Sequence, residues 1–178
     1  MRIIRGKYKG KRINPPKGFK SRPTTDYAKE SIFNIIENTL NINELKVLDL
    51  FSGSGNISLE FLSRGCKELT AVEIKRNYSF HIKKLFEELF PENSEVITGD
   101  VFNYIKKNIL HYDLIFADPP FEHNLILELP DLILNNKSLI ESALIIIEHP
   151  ANVDFKHHSA FKDTRRYGNV NFSFFRKR

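Results

Sequence analysis

The sequence predicts an α/β fold built on an open, doubly wound, mostly parallel sheet with helices on both faces. From residue 45 onward, short apolar runs alternate with amphipathic stretches, which is the βαβ pattern of a parallel sheet. A glycine-rich turn, residues 52–55, follows the first apolar run. Near the end of the chain, two stretches that alternate apolar with polar residues flank Gly168 and Asn169, as the strands of an antiparallel hairpin do. We therefore expect seven strands, with this hairpin at one edge of the sheet.

The apolar runs define the predicted strands, and the amphipathic stretches between them define the helices. Five parallel strands are expected at residues 45–51, 68–74, 95–99, 112–117 and 143–148, and the two hairpin strands at 161–167 and 170–175. Helices are expected at about 57–64, and at 77–90, 102–109 and 125–134, the last of them interrupted by Pro130.

Residues 1–40 are predicted to form a separate unit, and residues 41–178 the main domain. Two short stretches, 2–4 and 11–13, bracket Lys9 and Gly10 and favour a small hairpin. The sequence RPTT, residues 22–25, then leads into a helix over 26–40 whose Ile and Phe residues face inward.

Basic residues are concentrated in the first 22 positions. Nine of the 27 Lys and Arg residues lie there without any Asp or Glu, so the rest of the chain has 18 basic against 22 acidic residues. The C-terminal stretch is basic as well, with Arg165, Arg166 and the last three residues. An acidic body with basic termini favours a polyanionic partner bound along one face. A solvated basic arm without a partner is an equally good interpretation of the charge alone.

Length and composition exclude several classes of protein. A chain of 178 residues is long enough for one domain with a full hydrophobic core. No apolar run approaches the roughly 20 residues of a membrane span, and the start of the chain lacks the apolar segment of a secretory signal. Cys66 is the single cysteine, so neither an intrachain disulfide nor a cysteine-based metal site is expected. We expect a cytoplasmic protein that binds neither a metal nor a membrane.

The most informative stretch is YDLIFADPPF, residues 112–121, in which a buried strand ends in Asp118, Pro119, Pro120 and Phe121. An aspartate and a proline carbonyl accept hydrogen bonds from an exocyclic amine, and a phenyl ring can stack on the face of a base. The same residues also suit a loop that simply ends the strand. The neighbouring strand ends decide between these two interpretations.

Acidic residues follow three successive strands of the predicted sheet. Asp49 precedes the turn at residues 52–55, whose glycines permit close backbone approach to a ligand. Glu73 closes the second strand, where an acid can bind both ribose hydroxyls, and Asp100 closes the third, where it can meet an adenine amine. Each acid could instead cap the helix that follows it. Because ligands of open parallel sheets bind at the carboxyl ends of the strands, the three acids together favour a nucleoside-bearing cofactor.

Other chemistry-bearing residues receive simpler interpretations. Glu148, His149 and Pro150 end the fifth strand near the predicted site, and strand termination is favoured over a substrate-side role for them. His157 and His158 are expected to be an exposed loop pair, because no nearby cysteine or carboxylate completes a metal site.

Several of these stretches resemble one family. DLFSGSG at residues 49–55, the acid that ends the second strand, GD at 99–100 and DPPF at 118–121 are similar to class I S-adenosylmethionine-dependent amino-methyltransferases, which have a Rossmann-like fold. With RIIRGKYKGKRI near the start, RPTTDYAKESIFNII at 22–36 and SRG at 63–65, the chain resembles the RsmD-type 16S rRNA guanine-N2 methyltransferases of bacteria over nearly its whole length. Two positions depart from the family pattern: Phe121 stands where tyrosine is more frequent, and Lys29 where arginine is usual.

The resemblance implies roles for these positions. The cofactor S-adenosyl-L-methionine, which leaves as S-adenosyl-L-homocysteine, would be held by its amino-acid end at Asp49 and the following turn, by its ribose at Glu73 and by its adenine at Asp100. The implied cofactor-binding residues are Arg22, Thr24, Asp49, Phe51, Ser52, Gly53, Ser54, Gly55, Glu73, Asp100, Val101 and Asp118. The implied catalytic residues are Asp118, Pro119, Pro120 and Phe121, which would hold the target amine and stack on its base.

The implied substrate is a guanine N2 amine in 16S rRNA or in an assembling small ribosomal subunit, methylated by a monomeric enzyme whose residues 1–40 contact rRNA and cover the cofactor pocket. The DPPF turn equally suits an adenine-N6 methyltransferase of DNA or RNA, or a protein glutamine N-methyltransferase. The short connections between strands leave no room for a DNA-reading domain, which favours a substrate recognised by its folded shape. The basic N-terminal stretch favours nucleic acid over protein. A non-catalytic RNA-binding module is the alternative outside enzymes, and the intact acids speak against it.

Overall fold

The computed structural model describes residues 1–19, 24–120 and 126–177. Five helices and seven strands follow one another along these residues. They are α1 (Asp26–Thr39), β1 (Lys46–Leu50), α2 (Asn56–Ser63), β2 (Glu68–Glu73), α3 (Arg76–Leu89), β3 (Ser94–Thr98), α4 (Val101–Lys107), β4 (Leu114–Ala117), α5 (Leu129–Leu134), β5 (Leu144–Pro150), β6 (Phe161–Tyr167) and β7 (Val170–Phe175).

The seven strands form one sheet in the order β3-β2-β1-β4-β5-β7-β6. The first five strands in this order are parallel, and β7 pairs antiparallel with both β5 and β6. The chain order reverses between β1 and β4, which is the switch point at which open α/β sheets bind their ligands. The predicted mostly parallel sheet with an antiparallel C-terminal hairpin is confirmed.

Side chains of the sheet alternate between two apolar layers, because successive residues of a strand point to opposite faces. One layer joins α1, α2 and α3 to strand residues such as Val47, Phe116 and Ile146. The other joins α4 and α5 to the intervening residues, among them Leu48 and Ile115. The predicted helices on both faces are therefore confirmed, and the alternation assigns the residues of the five parallel strands to one face or the other.

The predicted elements differ from the observed ones in three places. Pro130 does not interrupt a helix, since it lies in the first turn of α5, where a missing backbone N–H costs nothing. The fifth strand continues to Pro150, because its last residues pair with β7. The predicted N-terminal hairpin is present without regular strands, as an antiparallel bridge between Arg2 and Arg12 with backbone hydrogen bonds from Ile3 N–H to the Lys11 carbonyl and from Ile13 N–H to the Met1 carbonyl. The start of α5 moves by four residues, from 125 to 129, and the other boundaries move by at most two residues. No helix among the described ranges combines the length and the apolar composition needed to cross a bilayer.

The N-terminal segment, residues 1–19, lies against the end of α2. The backbone N–H of Lys7 donates to the carbonyl of Ser63 over 2.7 Å, and the N–H of Tyr8 donates to the Ser63 hydroxyl over 3.0 Å. Ile3 and Ile13 pack into the same apolar layer as α1 and α2. The first 13 residues thus contribute to the core of the molecule.

Candidate active site

Four acidic side chains lie on one face of the sheet at the carboxyl ends of neighbouring strands. Asp49 is level with Phe116 of β4 and Ala71 of β2. Phe116 is in turn level with Ile146 of β5. Two residues after Ala71, Phe116 and Ile146 come three more acids: Glu73 and Glu148 lie in β2 and β5, and Asp118 directly follows β4. Because side chains two residues apart share a face, all four acids point to the face covered by α1, α2 and α3.

These acids line a cavity of about 860 Å³ at this edge of the sheet. Most of the residues expected from the sequence line it. They are Thr24, Asp49, Phe51, Ser52, Gly53, Ser54, Glu73, Asp100, Val101, Asp118, Pro119 and Pro120. Gly55 is not part of the lining, and Arg22 and Phe121 lie outside the described residues.

The turn after β1 has three left-handed residues among five. Phe51, Gly53 and Gly55 have φ angles of 62°, 56° and 77°. This conformation is rare for a residue with a side chain, and strained backbone of this kind clusters at functional sites. Gly55 precedes α2 and lies against α3, where a Cβ would approach Ile82 Cγ1 to 3.2 Å. Gly55 therefore supports the close packing of α2 on α3 behind the cavity wall.

Glu73 holds the turn in place from the neighbouring strand. Its Oε2 accepts a hydrogen bond from the backbone N–H of Gly53, and its Oε1 accepts one from the N–H of Lys75, both over 2.8 Å. Ser52 ties the other side of the turn, since its hydroxyl donates to the carbonyls of Asp49 and Val72. The backbone that lines the cavity is thereby fixed before any ligand enters.

Asp100 caps a helix and also lies at the cavity. Its Oδ1 accepts the backbone N–H of Asn103 over 2.8 Å, so it is the N-cap of α4. It also lines the cavity beside Val101. The cap uses one carboxylate oxygen, and each such oxygen has further acceptor capacity.

Asp49 is buried at the floor of the cavity. The hydroxyl of Ser58 donates to its Oδ2. Burial raises the pKa of Asp49 to about 7, and the charges of Asp118 and Glu73 add to the rise. Hydrogen bonds from Ser58 oppose the shift without cancelling it.

Asp118 and Glu148 form a pair of interacting carboxyls on adjacent strands. Burial is the main cause that raises the pKa of Asp118 well above its usual value, and the charge of Glu148 raises it further. Burial likewise raises the pKa of Glu148 to about 7, against a hydrogen bond of 3.0 Å from the Thr24 hydroxyl. Glu148 is therefore part of the cavity wall, which the sequence-based preference for simple strand termination underrated. Glu148 can be recognised as a site residue only when β5 is aligned with β4. Ile146 is then level with Phe116, and Glu148 follows Ile146 by two residues, as Asp118 follows Phe116.

Two tyrosines that the sequence analysis did not select lie at the outer edge of the cavity. Tyr27 is 70% exposed, and its ring meets that of Tyr167 edge-on with 6.0 Å between centroids. Both rings belong to the cavity lining. The entrance is thus aromatic on one side, although neither tyrosine stands in a recognisable motif.

The cavity suits a ligand that carries positive charge next to groups able to form hydrogen bonds. The pKa values are raised for three of these acids, Asp49, Asp118 and Glu148. A nearby cation would stabilise the ionised form of each carboxyl. No group of three or more His, Cys, Asp or Glu side chains among the described residues has the arrangement of a metal site. An organic cation fits this wall.

Comparison with known proteins agrees with the geometry. The profile of the family described as conserved hypothetical protein 95 matches residues 1–176. Ribosomal RNA small subunit methyltransferase D of Buchnera aphidicola is 39% identical over 148 residues, which cover 83% of this chain and 75% of the relative.

Solved structures share the fold. A candidate methyltransferase from Escherichia coli superposes with a TM-score of 0.85 at 29% identity, over 99% of this chain and 97% of that one. An RNA methyltransferase from Salinibacter ruber, in complex with S-adenosyl-L-homocysteine, has a TM-score of 0.69 at 13% identity, over 87% and 93% of the two chains. The chain therefore has the Rossmann-like fold of class I methyltransferases and belongs to the conserved hypothetical protein 95 family, that of the ribosomal RNA small subunit methyltransferases D.

Proposed function

We propose that this protein transfers a methyl group from S-adenosylmethionine to the exocyclic N2 amine of one guanine in 16S rRNA, in an assembling small ribosomal subunit. The observation that supports the proposal most is the shared wall of Asp49, Asp118 and Glu148 at the switch point of the sheet. This wall brings a cation-binding surface next to the Asp118-Pro119-Pro120 turn, which is suited to hold an amine.

The cavity fits S-adenosylmethionine by charge and by hydrogen bonding. When bound, this cofactor supplies an electrophilic methyl group on a positively charged sulfur, and its amino-acid end carries an ammonium group. Asp49 and Asp118 would lie near these positive charges. Glu73 would accept the ribose hydroxyls and Asp100 the adenine amine, while Phe51 and Val101 provide apolar surface for the ring. Arg22 stays a predicted contact outside the described residues.

Asp118 and the Pro119 carbonyl would hold the target amine. The lone pair of the guanine N2 is delocalised into the ring, which makes it a poor nucleophile. Two hydrogen bonds donated by the amine would favour a pyramidal nitrogen whose lone pair points at the methyl group, and such alignment accounts for much of the rate. Asp118 would also stabilise the positive charge that develops on the nitrogen. The stacking role of Phe121 stays a prediction, since it too lies outside the described residues.

Exposed basic residues offer a surface for an RNA substrate. Lys7, Lys9, Arg12 and Lys17 are exposed on the N-terminal segment, and Arg166 on β6. None of these five forms an ion pair with an acidic residue in the described ranges. The name of the Buchnera relative specifies the ribosomal RNA of the small subunit. The choice of 16S rRNA in an assembling subunit follows the resemblance stated from the sequence, and it is part of the proposal.

The proposal is tested by methylation of rRNA in vitro. Small subunits and free 16S rRNA are prepared from a strain that lacks this gene and incubated with the purified protein and isotope-labelled S-adenosylmethionine. We expect label in N2-methylguanosine at a single position, found by mass spectrometry of the digested RNA. Label in N6-methyladenosine, in a protein glutamine or in no product would contradict the proposal, and the first two products would identify the alternative reaction.

A further inference from the structure

We propose that Glu148 selects guanine as the target base by accepting a hydrogen bond from its N1–H, beside the amine held by Asp118. The inference rests on the proposed function and adds to it the residue that distinguishes guanine from other bases with an amine. The DPPF turn does not make this distinction, because an amine held by Asp118 can belong to guanine or to adenine.

The sheet places the two carboxyls side by side. Ala117, the last residue of β4, is level with Ile147 of β5, and Asp118 and Glu148 are the residues that follow these two. Both carboxyls line the same cavity, and they are close enough for the charge of Glu148 to raise the pKa of Asp118. Residues level with each other on parallel strands point to the same face, and neighbouring strands are about 4.8 Å apart. Two adjacent acceptors are thus offered to any base whose edge enters the cavity.

Glu148 is held in a fixed orientation. Its side chain belongs to a residue that is only 3% exposed, and it lines the cavity. The Thr24 hydroxyl donates to Oε2 over 3.0 Å and is the one hydrogen-bond donor to this carboxyl within the described ranges. No described residue donates to the other oxygen, Oε1, so within the described ranges it keeps its acceptor capacity for a ligand. A buried carboxylate with an unfilled acceptor strongly favours a partner that donates.

The edges of the bases determine which of them can supply that donor. Guanine has an N1–H directly beside its N2 amine, so it presents two adjacent donors to Asp118 and Glu148. Adenine has an N1 lone pair beside its N6 amine, and this lone pair would face the Glu148 carboxylate with two acceptors opposed. Enzymes that act on a flipped base read this edge by hydrogen bonds. Glu148 therefore explains a preference that Asp118 alone leaves open.

The test uses 2-aminopurine, which keeps the 2-amine of guanine but has an N1 lone pair in place of N1–H. The guanine found to be methylated is replaced by 2-aminopurine in a 16S rRNA assembled by splinted ligation and reconstituted into small subunits. Values of kcat/KM are measured on both RNAs for the wild type, Glu148→Gln, Glu148→Asp and the pocket control Asp100→Asn. The assays are run at about pH 8.5, above the pKa of about 7 of Glu148, so that its carboxyl is ionised and cannot donate to an N1 lone pair. Cofactor binding by each variant is measured by calorimetry.

We expect the wild type to prefer guanine by about 10- to 100-fold, the usual consequence of leaving a buried acceptor unpaired. Glu148→Gln can donate its amide N–H to the N1 of 2-aminopurine, so its preference should fall at least tenfold. Glu148→Asp should keep the preference for guanine, and Asp100→Asn should slow both reactions with an unchanged ratio.

Two results would overturn the inference. One is that the wild type methylates 2-aminopurine as fast as guanine. This measurement does not depend on whether any variant folds. The other is a Glu148→Gln protein that binds the cofactor and keeps the wild-type ratio. If the wild type methylates neither RNA, the proposed function itself fails, and this outcome is distinct from an unchanged ratio.

Discussion

Lys29 and Glu60 form an ion pair of 3.2 Å in which both side chains are completely buried. The Lys29 ammonium also donates to the Arg2 carbonyl over 2.7 Å and to Asn56 Oδ1 over 2.9 Å. Glu60 accepts the backbone N–H of Ile4 over 2.8 Å. One pair of charges therefore connects α1, α2 and the N-terminal segment.

Replacement of Lys29 by methionine should strongly destabilise the protein. The change removes one of two cations beside the buried Glu60 carboxylate, whose Oε1 still accepts a hydrogen bond from Arg64 Nε over 2.8 Å. Breaking a buried pair on one side costs about 3–5 kcal/mol in the free energy of unfolding, and the remaining Arg64 contact places the expected loss at the lower end of this range. The double variant Lys29→Met/Glu60→Gln should lose less than the sum of the two single losses, because each single change already removes the Lys29–Glu60 interaction. Urea unfolding followed by circular dichroism measures all three. Losses that add within error would show that the pair is not coupled.

Gly6 and Gly10 offer a matched test of how the N-terminal segment is attached. Their φ angles are nearly equal, 85° and 84°, yet a Cβ on Gly6 would lie 1.8 Å from the Ser63 carbonyl oxygen, whereas nothing lies within 4 Å of one on Gly10. Gly10→Ala should cost only the backbone strain of about 1–2 kcal/mol. Gly6→Ala should cost clearly more and should expose the Lys7 N–H to hydrogen exchange. Equal losses of stability in thermal unfolding would contradict this attachment.

The positions of Asp49, Glu73 and Asp118 could be predicted because apolar runs reveal where strands end. A parallel sheet then brings those ends to one edge without any knowledge of side-chain contacts. Glu148 needed more information, since its importance depends on the register of β5 against β4. Register results from the packing of whole strands, which a single apolar run does not specify.

The sequence could not predict which basic residues of the N-terminal segment form ion pairs within the protein. Arg2 pairs with Asp26, Arg5 with Glu37 and Lys11 with Glu88, so three of its cations have acidic partners up to 77 residues away along the chain. Such pairs depend on tertiary structure, and composition alone cannot distinguish them from cations that are free for a polyanion.

Asp118→Ala should lower the rate of methyl transfer by about 100-fold or more, because the target amine would no longer be aligned. Cofactor binding should weaken by a smaller factor than the rate, since Asp49, Glu73 and Asp100 remain in the cavity lining. Asp118→Asn is the matched control, because its carbonyl oxygen can still accept a hydrogen bond from the amine. It should therefore retain more activity than the alanine variant. Single-turnover methylation and calorimetry separate the two effects. An alanine variant with wild-type rates would show that Asp118 has no such role.

Cofactor binding should strengthen as the pH rises from about 6 to 8. Asp49 and Glu148 have pKa values of about 7 in the free protein, so below pH 7 these carboxyls are largely protonated. A cationic ligand favours their ionised forms, which lowers both pKa values and releases protons. The affinity for the cofactor therefore increases with pH. It stops increasing at the pH at which both carboxyls are already ionised in the free protein.

Calorimetry of S-adenosylmethionine binding at pH 7 in two buffers of different ionisation enthalpy measures this proton release. The apparent binding enthalpies should differ between the two buffers. The difference is proportional to the number of protons that the protein releases to the buffer when the cofactor binds. Asp49→Asn should reduce the difference, because one of the titrating groups is gone. Identical enthalpies in both buffers for the wild type would mean that the acids of the cavity do not face the cationic part of the cofactor.

Reversal of two exposed charges on the N-terminal segment should weaken RNA binding in a salt-dependent way. Lys7 and Arg12 have no acidic partner among the described residues, so both are available to phosphates. If both contact rRNA, Lys7→Glu/Arg12→Glu should reduce the slope of log K against log salt concentration by about 1.5–2. Lys106→Glu/Lys107→Glu changes the net charge equally at the end of α4, on the opposite face of the sheet, and should leave the slope unchanged. Filter binding of 16S rRNA at several salt concentrations measures both slopes. Equal slopes in the two double variants would show that the N-terminal segment does not contact the RNA.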